Sequence, residues 1–255
     1  MTDIFKIPLY YIGFKSNKPL EKQLRNWGFT NINHFQAIDG RKLNPEKLFS
    51  DGIIGSRAYN DLKYGRAERS GISSLGTIGC TLSHSSLWKL CVDNNYPYII
   101  IAEDDVIIKR LNDKDIKNIQ NALSKENGAF IGANLEKGKQ LIQGLHFYIL
   151  SKSAAKKLYE KAFPIDIQTD CYVVAANNTN VISAEGYPMA KQKLRKSTTG
   201  DTCFSCSLPK SDIFYISVVI FIVVIMILLF FIYKTLKKTK IELDSCRSSS
   251  RSFSD

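Results

Sequence analysis

A run of apolar residues, Tyr98-Ile-Ile-Ile-Ala102, passes without a break into three carboxylates, Glu103-Asp104-Asp105, before Val106 resumes the apolar character. The run reads as a strand, and three adjacent negative charges at its end repel one another unless something compensates them. Ligand sites in open α/β sheets lie at the carboxyl ends of strands, where this cluster falls. A hard divalent cation, coordinated by oxygen and shared with phosphates, would supply the compensation. A solvated acidic turn is the competing account. In extended geometry Glu103 and Asp105 point to one side and Asp104 to the other.

The surrounding pattern fits a layered α/β domain. Residues 7–12 form a short β-branched and aromatic run, and 20–27 has helical spacing that stops at Gly28. Residues 79–92 read as a helix, 129–133 as a strand, then a hairpin around Gly138 and a strand over 144–150. The spacing over 153–162 predicts a helix that Ser153 can cap, with Pro164 just past its end. Strands alternating with helices imply helices layered on a sheet. A chain of 255 residues, 44% hydrophobic, has material for one sizeable core.

The formal charge is +11 at pH 7, but its distribution argues against a nucleic-acid groove. Five basic residues against two acidic ones in 189–212, and six against three in 234–255, place over half of the excess beside one uncharged segment, 213–233. A helix of that length would match a hydrocarbon core of ~30 Å. Tyr215 and Tyr233 near its ends and Lys234, Lys237, Lys238 and Lys240 after it suit an interface with a lipid bilayer. The sequence thus predicts a domain over 1–192, a basic stalk over 193–212, a transmembrane helix over 213–233 and a disordered, Ser-rich tail over 234–255. No hydrophobic leader opens the chain, so the expectation is a single-pass protein with a C-terminal anchor and its catalytic domain on the cytosolic face. The six cysteines do not form a disulfide framework; Cys80 and Cys91 read as small buried side chains, and Cys203-x-x-Cys206 lacks the second pair that a zinc site needs.

Two further groups carry candidate chemistry. Asp166 and Asp170, in Pro164-Ile-Asp-Ile-Gln-Thr-Asp170, lie where a helix gives way to a loop, and either carboxylate can serve as a general base or as the cap of the next element. His84, taken alone, reads as a hydrogen-bonded structural histidine, and His34 and His146 show no partner pattern. The lysines of 190–196 suit a diphosphate or a solvated stalk equally well.

Four stretches, in order, resemble glycosyltransferase family 25, which includes lipooligosaccharide and collagen galactosyltransferases. They are the opening strand Ile7-Pro-Leu-Tyr-Tyr-Ile12; Gln36-Ala-Ile-Asp39-Gly-Arg-Lys-Leu43; the run Gly76-Thr-Ile-Gly-Cys-Thr-Leu-Ser-His84-Ser-Ser-Leu-Trp-Lys89 with Ile101-Ala-Glu-Asp-Asp-Val106; and His146-Phe-Tyr-Ile-Leu-Ser-Lys152 through Asp166 and Asp170. The resemblance implies a GT-A-type, Rossmann-like fold and inverting transfer of galactose or glucose from a UDP-sugar to a glycan or glycoprotein acceptor. It also implies a Mn²⁺-type cofactor, with Glu103 and Asp105 as the D-x-D-like metal pair. Glu103, Asp105, Asp39 and His84 would be the cofactor-binding positions, and Asp170, with Asp166 second, the catalytic carboxylates. The turn Gly13-Phe-Lys-Ser-Asn-Lys18 departs from the family in lacking its arginine-rich character. Two other readings fit parts of the pattern. A phosphotransferase would need an aspartate nucleophile with a downstream lysine loop, which is not found; a catalytically degenerate relative would display a glycan-binding surface.

Overall fold

Strands and helices alternate along the first 192 residues: β1 (Leu9–Gly13), α1 (Lys18–Asn26), β2 (Ile32–Gln36), α2 (Pro45–Ser50), α3 (Ser56–Tyr64), α4 (Leu75–Asp93), β3 (Tyr98–Glu103), β4 (Val106–Ile108), α5 (Asp113–Leu123), β5 (Gly128–Gly132), β6 (Phe147–Ser151), α6 (Lys152–Glu160), α7 (Thr169–Asn178), β7 (Ser183–Tyr187) and β8 (Ala190–Gln192). The computed structural model describes residues 2–66, 68, 70–132 and 144–193, and further along 221–222, 225–228, 230, 232 and 234. The chain divides into two compact units, Met1–Cys203 and Phe204–Asp255.

The first unit is built on a six-stranded sheet in the order β2-β1-β3-β6-β5-β7. β6 runs antiparallel to both of its neighbours, and the other five strands are parallel to one another. Period-two alternation fills both faces. On β3, Ile100 and Ala102 join one core with Leu20 and Leu24 of α1 and Ile119 of α5. Ile99 and Ile101 join the other, with Leu87 and Trp88 of α4, Ala154 and Leu158 of α6 and Val173 of α7. The result is helix, sheet, helix. Each fully buried isoleucine of β3 stabilises by about 1.5–3 kcal/mol relative to an exposed one.

α4 is the element that fixes the site. One side meets the sheet, and the other meets a third apolar cluster of Ile54, Ala58, Ile72 and Ile165 around its own Ile78. A helix covered on two sides has no wet face along much of its length, which is why its sequence shows no amphipathic stripe. Its small polar residues turn inward and satisfy themselves locally: Ser83 donates to the Gly79 carbonyl at 2.7 Å and Thr81 to the Thr77 carbonyl at 3.1 Å. The loop after β2 docks on its first turns. A Cβ on Gly40 would collide with the Leu75 carbonyl, and one on Gly79 would meet the Ile38 carbonyl at 2.5 Å.

The predicted elements shift at their ends. The helix expected over 79–92 begins at Leu75, capped by Ser74, and the helix expected from Ser153 begins at Lys152 with Ser151 as its cap. The strand expected over 144–150 runs over Phe147–Ser151, and the hairpin around Gly138 lies outside the described residues. The membrane anchor is corrected. Apolarity can be read residue by residue, but crossing a bilayer requires one continuous helix of about 20 residues. Among the described residues no helix is long and apolar enough to cross a membrane. Within 213–233 only short helical pieces are described, the longest being 225–228. The predicted single-pass localisation, the cytosolic orientation and the bilayer partner therefore do not stand. Lys193 is the last described residue of the expected stalk, and all of the expected tail except Lys234 lies outside the described residues.

Candidate functional site

The carboxyl ends of β1, β2 and β3 share one edge of the sheet, and the acidic cluster sits at its centre. Continuing the alternation of β3, Glu103 falls on the face of Ile99 and Ile101, toward α4. Across the sheet Ala102 pairs with Phe147, and the Glu103 N–H donates to the His146 carbonyl at 3.0 Å, so His146 lies directly opposite Glu103. His146 Nδ1 donates to Glu103 Oε2 at 2.7 Å. His84 is only 1% exposed, and its Nε2 faces Glu103 Oε1 from α4 at 3.7 Å, beyond direct hydrogen-bond reach. Burial works against the Glu103 charge, but the hydrogen bond from His146 and the facing His84 outweigh it and hold the carboxyl down at about 2. Burial likewise pulls His146 down, but the Glu103 carboxylate, with Asp105 and Asp170 behind it, raises it above its ordinary value. Gly144 makes room for this ring: it sits at φ +79°, and a Cβ there would collide with His146 Nε2.

Asp104 and Asp105 make the turn between β3 and β4. The Asp104 N–H donates to the Ile12 carbonyl at 2.9 Å, its own carbonyl accepts from Asn17 Nδ2 at 2.7 Å, and its side chain packs where a Cβ on Gly13 would be, 2.9 Å from Asp104 Cβ. Asp105 is tied to β8, its carbonyl accepting from the Lys193 N–H at 2.9 Å and its Oδ2 from Gln192 Nε2 at 3.1 Å. Its Oδ1 is buried and has no hydrogen-bond partner among the described residues. Burial first, and then the charge of Glu103, raises the Asp105 carboxyl above its usual range. A buried carboxylate oxygen without a donor, beside other carboxylates, is an arrangement that a divalent cation relieves, so the residues present fit an oxygen-preferring metal.

Asp170 belongs to the same constellation. It lies in the first turn of α7, which is held to α4 by the hydroxyl pair Thr81 and Thr169 at 2.7 Å, and its charge acts on both His146 and Cys80. Cys80 precedes His84 by one helical turn. Burial, together with Glu103, Asp170 and Asp105, pushes its thiol far up. Donor atoms of Cys80, His84 and Glu103 lie within 4.8 Å of one another, the metal-compatible group among the described residues.

The remaining sequence candidates are engaged elsewhere. Asp166 Oδ1 accepts from the Ala58 N–H at 3.0 Å, and the carboxylate occupies the space that a Cβ on Gly55 would need. Gly55 precedes α3 and has no capping side chain of its own, so Asp166 caps that helix from across the domain. Asp39 caps a short 3₁₀ turn and binds Arg41 in bidentate fashion at 2.8 and 2.9 Å. The loop that carries it joins the site's framework through the Ile38 N–H, which donates to Ser83 Oγ at 2.9 Å, next to His84. His34 Nε2 lies 2.9 Å from the Gly13 carbonyl. Sequence reasoning missed His146, Gln192, Trp88 and Tyr148. His146 is 43 residues from Glu103, and the register that joins them is a property of the sheet; the strand predicted over 144–150 was the available signal.

Residues 15–139 match the family model for glycosyltransferase family 25 (LPS biosynthesis protein). A glycosyltransferase 25 family member of Drosophila melanogaster is 36% identical over 73 residues, covering 29% of this chain and 11% of that protein. Procollagen galactosyltransferase 1 of Danio rerio is 25% identical over 154 residues, covering 51% of this chain and 25% of its own length. The chain thus spans a quarter or less of these relatives. A crystal structure of a glycosyltransferase involved in glycosylation of the major capsid of PBCV-1 is similar with a TM-score of 0.40 and 9% identity, over 71% of this chain and 82% of that one. The matched residues, just under half of the chain, contain the loop of Asp39, the helix of His84 and the Glu103-Asp104-Asp105 turn, and over them the chain is similar to glycosyltransferase family 25.

Proposed function

We propose that residues 1–192 form a GT-A-type catalytic domain that transfers a hexose, galactose or glucose, from a UDP-sugar to a hydroxyl of a glycan or glycoprotein, with inversion and with a divalent cation of the Mn²⁺ type. The observation that carries this reading is the buried Oδ1 of Asp105, without a hydrogen-bond partner among the described residues and beside Glu103, in a cluster on which the charge of Asp170 also acts. The family match over residues 15–139 and the galactosyltransferase name of the Danio rerio relative support the sugar-nucleotide donor. Asp105, with Glu103 beside it, would hold the cation, which when bound neutralises charge on the diphosphate leaving group. Asp170 takes the proton of the acceptor hydroxyl as its oxygen bonds to the anomeric carbon, while the bond from that carbon to the diphosphate oxygen breaks and UDP departs. The buried walls around Glu103 and His84 exclude water from that side and strengthen the field of the carboxylates.

Release of UDP from a panel of nucleotide sugars by the purified chain, with Mn²⁺ and then with EDTA, tests the reading. Slow hydrolysis of one UDP-hexose, without acceptor and abolished by EDTA, is expected. No release from any donor, with UDP itself failing to bind, would refute it.

A further inference from the structure

Behind Glu103 lies a chain of buried polar groups whose direction is set at one end. The Trp88 indole nitrogen can only donate, and its hydrogen goes to the Tyr148 hydroxyl at 3.0 Å. Tyr148 is fully buried between α4 and β6, and burial raises its phenol well above the ordinary value, so the oxygen that accepts from Trp88 keeps its own proton. That proton needs an acceptor, and His84 Nδ1 lies 2.8 Å away. A neutral imidazole that accepts at Nδ1 carries its hydrogen at Nε2. Nε2 is the atom that faces Glu103 Oε1 at 3.7 Å, while the other carboxylate oxygen receives the His146 Nδ1 hydrogen at 2.7 Å.

We propose that Trp88, Tyr148 and His84 form a one-directional hydrogen-bond relay which, together with His146, positions the Glu103 carboxylate for the donor and takes His84 out of the metal's ligand set. Helical spacing puts His84 and Trp88 one turn apart on the sheet-facing side of α4, and strand alternation puts His146 and Tyr148 on the matching face. The gathering of Cys80, His84 and Glu103 within 4.8 Å suggests a softer, imidazole- and thiol-bearing metal site. The relay argues otherwise, because the lone pair of His84 is spent on Tyr148 and a hydrogen occupies the nitrogen that faces Glu103. Glu103 keeps lone pairs for a donor hydroxyl, both on Oε1 and one on Oε2, and the cation is left to the side of Asp105 Oδ1. His84 and Tyr148 are positioning residues. What they position Glu103 to do rests on the transferase reading, whereas the direction of the relay does not.

The test separates the two. In the ¹⁵N-labelled full chain, long-range ¹H–¹⁵N correlations of the histidine rings, with His84 assigned by its loss in His84→Gln, report the tautomer directly. The relay predicts hydrogen on Nε2 and none on Nδ1. Hydrogen on Nδ1, alone or in a doubly protonated ring, overturns it even if no variant folds. Tyr148→Phe keeps the ring and removes the link. It should release His84 into exchanging tautomers, leave the Mn²⁺ dissociation constant by electron paramagnetic resonance within about twofold, and raise the donor KM about tenfold with little change in kcat. An unaltered His84 tautomer and KM in Tyr148→Phe, or a lost Mn²⁺ affinity, would overturn the proposal. A wild-type chain that shows the Nε2 tautomer but neither hydrolyses a nucleotide sugar nor binds UDP would leave the relay standing and remove the transferase reading.

Discussion

At the scale of single residues, Asp105, Asp166 and Asp170 show how surroundings assign work to one chemical group. Asp105 Oδ2 is satisfied by Gln192, while Oδ1 is buried without a partner in the field of Glu103. Its charge is therefore a strain on the fold, and on the proposed reading a bound cation would relieve it. Asp105→Asn should lower Mn²⁺ affinity at least about tenfold by calorimetry and raise the metal-free melting temperature, since a buried, repelled charge is removed. Unchanged Mn²⁺ affinity would take Asp105 out of the site. Asp166 caps α3 through the Ala58 N–H, so Asp166→Ala should cost about 1 kcal/mol in urea denaturation while UDP release persists. Asp170→Asn should do the reverse, keeping stability and lowering turnover by roughly 10²-fold. If the two variants exchange these effects, the base is Asp166.

At the scale of elements, the site depends on close approaches that only glycine allows and on a pinned helix. Gly40 brings the loop of Asp39 against the first turn of α4, and Gly40→Ala would drive a Cβ into the Leu75 carbonyl. That collision is with backbone, so the loop must move. A loss of about 1–3 kcal/mol is expected in chemical denaturation, together with weaker donor binding because the Ile38–Ser83 link beside His84 moves with it. On the other edge α1 is tied to β1 by the buried Tyr11, whose hydroxyl donates to Glu21 Oε1 at 2.6 Å and accepts from the Asn17 N–H at 3.0 Å. The hydrogen bond from Tyr11, with Lys18 adding and partial burial opposing, holds the Glu21 carboxyl below its usual range. A depressed carboxyl contributes stability that is present above its unfolded value of about 4.3 and lost as pH falls through the folded one. Between pH 5 and pH 3 the wild type should therefore lose more stability in urea than Glu21→Gln. Equal losses would show that this link does not act through charge.

At the scale of the whole molecule, two apolar cores, one on each face of the sheet, and a third cluster beyond α4 lie within the first unit. A fragment of residues 1–203 should unfold in one cooperative transition, with the fluorescence of Trp27 and Trp88 reporting the same midpoint as the far-ultraviolet circular dichroism of the whole fragment. Separate midpoints, or no transition, would mean that residues beyond 203 contribute to this core. The three-layer arrangement also explains why the polar residues of α4 are placed as they are. A helix covered on two sides has to satisfy its hydroxyls and its histidine internally, and the partner that His84 finds on β6 orients the acidic edge of β3.

Much of this organisation is local and therefore readable in the chain itself. Alternation and helical spacing are short-range properties, so the α/β class, the strand that ends at Glu103 and the helix that carries His84 follow from residues close in sequence, whereas the alternation expected through Asp104 and Asp105 gives way to a turn. The ordered motifs around Asp39, His84 and Glu103 were sufficient to point to the family. Tertiary structure decided what depends on register and on which helix ends meet. It set His146 opposite Glu103, left Asp105 Oδ1 without a donor among the described residues, brought Asp170 toward the acidic edge and sent Asp166 to cap α3. It also corrected the membrane reading of 213–233, because apolar composition is a sum over residues whereas a span is one unbroken helix, and none long and apolar enough exists among the described residues. Pairings across 43, 64 and 108 positions are set by how the sheet and helices pack, and no short window of sequence contains both partners.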